Sequence, residues 1–374
     1  MARPFAIDRA FLLDTAVSLV NIESVAPGEH AVIDALESLA VNLGMKTRRI
    51  PLEPGRDNLL ASVGEGYPVV CLDAHVDTVP PSGRSVPKAT IEGGRLLGLG
   101  ACDDKGPLAA MLAAVKALIE SGWNGPGRID LLMTLEEETV GRGIRAVADS
   151  GYQCDYAICA EPTNLRIAVA HPGLVFLEVR AEGRAAHGSL PEKGVNAVEL
   201  AHGFVEDMRR TIASWPKHPL AGYSSVNLGA LHGGDRPNRV PDHATALIDV
   251  RVAPPKTVQD AARLTANLAQ KRSGIKTNVV MMGEALDTDP KGVLVGALRK
   301  AALAVTGKRA RTVGWRAWSE AGVLQGAARS QVAVFGPGQL EQAHSSDEFI
   351  DVEQLRASAE IYARAVSLLL ESKK

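Results

Sequence analysis

From Val69 to Pro80 the chain reads VVCLDAHVDTVP, a run of apolar residues followed by Asp73, His75 and Asp77 at every second position. The run has the length and β-branched content of a buried strand. Alternate side chains of a strand project to one face, so the three polar groups leave its carboxyl end together. That crowding is costly unless a cation compensates it. An imidazole flanked by carboxylates suits a divalent metal: His75 offers a nitrogen, and Asp77 can take the proton of the other ring nitrogen and fix its tautomer. The alternative for this motif alone is a core histidine held by one carboxylate.

The rest of the chain narrows the choice. With 374 residues and 46% hydrophobic content it is long enough for two domains with real cores. A net charge of −2, from 41 basic and 43 acidic residues, gives no electrostatic case for nucleic acid or an anionic membrane. Phe11 to Val20 is apolar but broken by Asp14, which predicts an amphipathic helix rather than a signal sequence, and no stretch has the length of a membrane span. The four cysteines (Cys71, Cys102, Cys154, Cys159) fit neither a disulfide framework nor a thiolate zinc site, and a reducing cytoplasm is the expected location.

Apolar periodicity predicts helices over 7–20 and 30–43, then strands over 46–50, 58–63 and 69–72 and a hairpin turning at Gly93 and Gly94. Pro107 near the start and Gly122 at the end bracket a long helix, LAAMLAAVKALIESG. Strands over 129–135 and 156–160 end in Glu136, Glu137 and Glu138 and in Glu161, echoing the first strand. Beyond His171 the order strand 174–181, helix 195–212, strands 225–231 and 244–252, helix 258–270 and strand 277–282 is a self-contained βαββαβ unit. A helix over 292–305, a strand over 331–335 and a helix over 352–370 follow. The expected organisation is a discontinuous α/β domain, 1–172 with 284–374, interrupted by an inserted domain, 173–283.

The strand ends and helix starts collect His75 and Asp77, Asp103 in GLGACDDKG, the three glutamates, Glu161 in AEPT and His344 in AHSSDEF, where an open α/β sheet gathers its ligand groups. Two histidines with several carboxylates and no thiolate suit one or two zinc ions, with cobalt or manganese as alternatives. Asp103, on a loop before a helix, has the setting to bridge two metals roughly 3.5–4 Å apart.

In this order and spacing the motifs resemble the M20 family of metallopeptidases and amidohydrolases, the group containing acetylornithine deacetylase, succinyl-diaminopimelate desuccinylase, aminoacylase and glutamate carboxypeptidase. HVDTVP, G-x-G-x-x-D-x-K-G, the EEE run, AEPT, G-x-x-x-H-x-x-x-P-x-x-G-x-N-A and a late A-H-x-x-x-E carry the resemblance over nearly the whole chain. It implies a two-domain, zinc-peptidase-like α/β catalytic domain with an inserted ferredoxin-like lid and dimerisation domain, and hence a homodimer. His75 and Glu161 would hold one metal, Glu138 and His344 the other, and Asp103 would bridge them. Glu137 would be the general base and Asp77 the partner of His75.

Water shared by two cations has a lowered pKa, and a carboxylate that is not itself a ligand can take its proton. The register within the triplet leaves an alternative, Glu136 as base with Glu137 as ligand, and a solvated acidic strand end is the bland reading. The resemblance also places His187, on a loop before a helix, as a donor to the tetrahedral oxyanion. Asn238 and Arg251 match positions that hold the substrate's carboxylate or acyl end, and Gly336 to Gly338 offer backbone N–H groups to that carboxylate. Two departures stand out: Trp318-Ser319-Glu320 where relatives carry an aspartate, and Arg236 and Arg239 in the stretch around Asn238, which favour an acidic substrate. The expected activity is hydrolysis of the amide bond of a small N-acyl amino acid, of the deacetylase or desuccinylase type. Rivals are a carboxypeptidase or dipeptidase acting on a short peptide, and a non-catalytic small-molecule binding protein that keeps the fold.

Overall fold

The computed structural model describes residues 5–81, 88–328 and 330–372. Two compact units emerge: one takes the chain up to Val169, Thr288–Val313 and everything from Ser319, and the other takes Ala170–Asp287 with Gly314–Trp318.

In the first unit the strand that opens with Val69 runs Val69–His75 and is buried along its length. It lies parallel to Gly127–Thr134 on one side and to Tyr156–Cys159 on the other, and Gln331–Val334 continues the parallel set beyond Tyr156–Cys159. Arg56–Glu65 and Lys46–Glu53 extend the sheet antiparallel beyond Gly127–Thr134. Strands buried on both faces read as continuous apolar runs, which is why VVCL and DLLM lack alternation. Helices Arg9–Val20, His30–Asn42, Lys105–Glu120, Val293–Thr306 and Val352–Leu370 join these strands in one large apolar core. Lys105–Glu120 is the most enclosed of them, from Lys105 through Val115 without an exposed residue. The carboxyl ends of the four parallel strands carry His75, the glutamate triplet, Glu161 and the Gly336–Gly338 turn.

The second unit is an antiparallel sheet in the order Ser225–Gly233, His243–Val252, Gly173–Glu182, Ile275–Gly283. Val175, Leu177, Val179 and Ala181 alternate inward to meet Phe204, Val205 and Met208 of helix Ala197–Ile212 and Ala261 of helix Val258–Gln270. Thr257 and Asp260 close a capping box at the start of the second helix.

Several elements depart from the sequence expectation. Arg142–Asp149, Ala321–Ala328 and the strand Ile167–His171 carry no long periodic pattern, and tertiary packing forms them. Gly314–Trp318, expected in the outer domain, joins the second unit instead. The indole of Trp318 donates to the Glu284 carbonyl at 3.1 Å and lies where a Cβ on Gly283 would meet it at 2.4 Å, while the Trp315 N–H donates to the Ala170 carbonyl at 2.8 Å.

Candidate active site

The carboxyl end of Val69–His75 presents His75, 2% exposed, to the loop before helix Lys105–Glu120. Its Nε2 stands 3.0 Å from Asp103 Oδ1, and its Nδ1 faces the Asp77 carbonyl at 3.1 Å and the Asp77 carboxylate at 3.5 Å. The other oxygen of Asp103 is 3.5 Å from His344 Nε2, which lies 2.8 Å from Glu138. His75, Asp103 and Glu138 each bring a ligand atom within 4.8 Å of the others. Residues far apart in sequence thus share one small volume.

The glutamate triplet is a turn, and its geometry sorts the three carboxylates. Glu136 has φ 61°, so the chain leaves the strand direction immediately after Leu135. Its carboxylate accepts from Arg56 at 2.6 Å and, through both of its oxygens, from Arg142 at 2.5 and 2.6 Å. Arg56 in turn donates to the fully buried Glu29. Two guanidinium groups thus occupy the Glu136 carboxylate and hold its pKa below the ordinary value, which sets it apart from Glu137. The backbone N–H groups of Glu137 and Glu138 each donate to one Asp77 oxygen at 3.1 Å. Asp77 thus joins the His75 strand to the triplet.

Burial works to lower the His75 pKa, yet Asp103 and Asp77 outweigh it and raise it well above the ordinary imidazole range. Asp103 and then Glu138 raise His344 to about 10. Burial opposes ionisation of Asp103, but hydrogen bonds from His344 and His75 hold its carboxyl well below the usual range. Glu137 rises to about 8, first through burial and then through the charges of Glu138 and Asp103. Glu161 lies outside the tight triad; burial pushes its carboxyl well up, followed by the charges of Asp103 and Glu137. Protons held on His75 and His344 beside the ionised Asp103, with Glu137 and Glu161 reluctant to ionise in the same field, put positive charge where a cation would sit, so the donor set fits divalent metal.

The remaining predicted residues fare differently. The N–H of Gly336 donates to Thr163 Oγ1 at 3.0 Å and that of Gly338 to Gln354, so neither is left for a substrate carboxylate. These glycines serve close approach instead. A Cβ on Gly336 would meet the Glu161 carbonyl at 2.5 Å, and one on Gly338, φ 83°, would meet Cys102 Sγ at 2.5 Å. In the second unit His187 is exposed, with Nδ1 2.7 Å from Ser189 Oγ, and Asn238 accepts the Gly188 N–H through its backbone carbonyl at 2.8 Å. Arg251 is bound to both oxygens of Asp249 at 3.0 Å, the ion-pair arrangement rather than an uncommitted clamp. Arg236 pairs with Asp235, and Arg239 with Asp235 and Asp242, so the basic excess read from the sequence is locally compensated.

Sequence reasoning touched two acidic residues of the site wall without assigning either a role. Glu320 is 1% exposed and accepts from Thr134 Oγ1 at 2.5 Å, while Glu348 accepts the N–H groups of Cys102 and Asp103 at 2.8 and 3.2 Å. The A-H-x-x-x-E spacing marked Glu348 without revealing what it holds.

The sequence model of peptidase family M20/M25/M40 matches residues 71–368. This chain belongs to that family. As an M20 protein it is an enzyme acting on amide or peptide bonds, and it is metal-dependent. It is 32% identical to the acetylornithine deacetylase of Proteus mirabilis, over 96% of this chain and 94% of that protein. Its fold is similar to that of a tripeptidase from Staphylococcus aureus, with a TM-score of 0.83 at 20% identity, covering 98% of this chain and 100% of the other. A dinuclear metal binding peptidase of the M20 family from Bacillus subtilis shares the fold with a TM-score of 0.73 at 15% identity, over 98% and 99% of the two chains. The two-domain α/β architecture is common to these M20 structures. Among the described residues no helix is long and apolar enough to cross a membrane.

Proposed function

We propose that this enzyme removes the acyl group from a small N-acyl amino acid, with Glu137 as general base and two zinc ions held by His75, Glu161, Asp103, Glu138 and His344. The observation that supports the reading most is the meeting of His75, Asp103 and Glu138, with Glu137 half-buried in their field and free of the arginines that hold Glu136. Two cations there would supply carbonyl polarisation and a lowered pKa of water. Their charge would also draw the Glu137 carboxyl down from about 8, leaving it ionised at neutral pH.

Glu137 then takes the proton of the attacking water and returns it to the leaving amine. Asp77 fixes its backbone through the N–H groups of Glu137 and Glu138 and orients His75. The oxyanion role of His187, the substrate role of Asn238 and dimerisation through the inserted domain belong to the proposal through the family resemblance, and a cytoplasmic location through the cysteine pattern of the sequence.

A deacylase is favoured over a carboxypeptidase or dipeptidase because the deacetylase relative is 32% identical to this chain, against 20% and 15% for the two peptidases of similar fold. Comparison of kcat/KM for acetylornithine, a succinylated diamino acid, an acyl-glutamate and a dipeptide tests this. One of the acyl compounds should lead by at least tenfold. A dipeptide leading by that margin contradicts the proposal.

A further inference from the structure

Glu348 lies outside the proposed ligand set, yet it touches the loop that carries Asp103 through both its side chain and its backbone. One carboxylate oxygen receives two successive N–H groups, from Cys102 at 2.8 Å and Asp103 at 3.2 Å. Its carbonyl receives the N–H of Gly98 at 3.0 Å. The next residues, Phe349–Asp351, pair antiparallel with Arg95–Leu97, so this bond continues a short ladder. Four positions before Glu348, His344 sits at φ 62° with its ring on Glu138 and Asp103. The Asp103 loop and the His344 turn are therefore fastened to one another, although 245 residues separate Asp103 from Glu348.

We infer that Glu348 is a positioning residue, whose carboxylate and carbonyl join the Asp103 loop to the His344 turn so that both side chains are presented to metal as one rigid piece. This rests on the dinuclear reading above. A carboxyl oxygen suits the task, because each of the two N–H groups belongs to a buried residue and without it would have no acceptor to replace water. A ligand carried by a mobile loop must be ordered each time metal binds, whereas a fastened loop meets that cost during folding. Supports of this kind typically change metal affinity 10- to 100-fold when removed.

The test uses the full chain without metal and then with zinc. Protein labelled with 15N-cysteine gives the Cys102 amide signal among four. In the metal-free protein, Glu348→Ala should speed hydrogen exchange at the Cys102 amide at least tenfold. It should also weaken zinc binding, measured by competition with a chromophoric chelator, by about 10- to 100-fold. Glu348→Gln keeps an acceptor oxygen without the charge, so a two- to fivefold faster exchange is expected, and this variant carries the test if Glu348→Ala does not fold. Exchange at the wild-type rate in the folded variants overturns the positioning role. Absence of zinc binding by the wild-type protein would overturn the dinuclear reading instead, and the metal-free exchange result would still decide the role of Glu348.

Discussion

Asp77 is the residue on which the site's geometry can be perturbed with least change in shape. It is fully buried, and its two oxygens accept the N–H groups of Glu137 and Glu138, both at 3.1 Å, while one of them also faces His75 Nδ1 at 3.5 Å. Asp77→Asn keeps one acceptor and turns an amide NH2 toward a second donor. One charge-assisted hydrogen bond is lost and one buried N–H is left unsatisfied; with about 1.5–3 kcal/mol for the first and about 1–3 for the second, partly overlapping, the expected loss is about 2–4 kcal/mol. Urea denaturation of the metal-free wild-type and Asp77→Asn proteins measures that loss. Because the same substitution removes the carboxylate charge beside His75 Nδ1 and leaves the ring only the Asp77 carbonyl there, zinc affinity should fall 10- to 100-fold in a competition titration. A stability loss below about 0.5 kcal/mol with zinc affinity within twofold of wild type would refute the reasoning.

Glu137→Gln should abolish turnover while retaining metal, whereas Glu136→Gln, which weakens a buried ion pair with Arg56, should lower stability by about 2–4 kcal/mol and keep measurable turnover; steady-state kinetics with metal analysis on both variants checks the contrast. Burial holds His171 down at about 4, so the unfolded chain binds the extra proton first as pH falls. The stability is full above about pH 6.5 and declines by about 3 kcal/mol toward pH 4; His171→Gln should flatten this part of a denaturation profile relative to wild type. Gly336→Ala places a Cβ against the Glu161 carbonyl and should cost about 1–3 kcal/mol of stability in a thermal melt.

Much of the architecture is legible because period and punctuation agree. Val258–Gln270 and Val352–Leu370 have the predicted ends, each preceded by a capping side chain. The positions of His75, Asp103 and the triplet follow from strand ends and a helix start, which local patterns mark well. What the sequence could not give is which oxygen meets which donor. The sorting of Glu136 from Glu137 depends on Arg56 and Arg142, and no local rule links residue 56 to residue 136. Gly336 and Gly338 illustrate the same limit from the other side: a glycine turn after a strand looks like an anion cradle, and only the packed structure reveals Thr163 and Gln354 already at their N–H groups. The basic appearance of Arg236 and Arg239 likewise dissolves once Asp235 and Asp242 fold beside them.

The measurement closest to the central claim is metal per chain, determined by elemental analysis on protein dialysed against trace zinc and assayed in parallel for amide hydrolysis. Two ions per wild-type chain, one or none after His344→Ala, and hydrolysis lost with the metal are the predicted results. Undiminished hydrolysis by protein stripped of all divalent metal would contradict it.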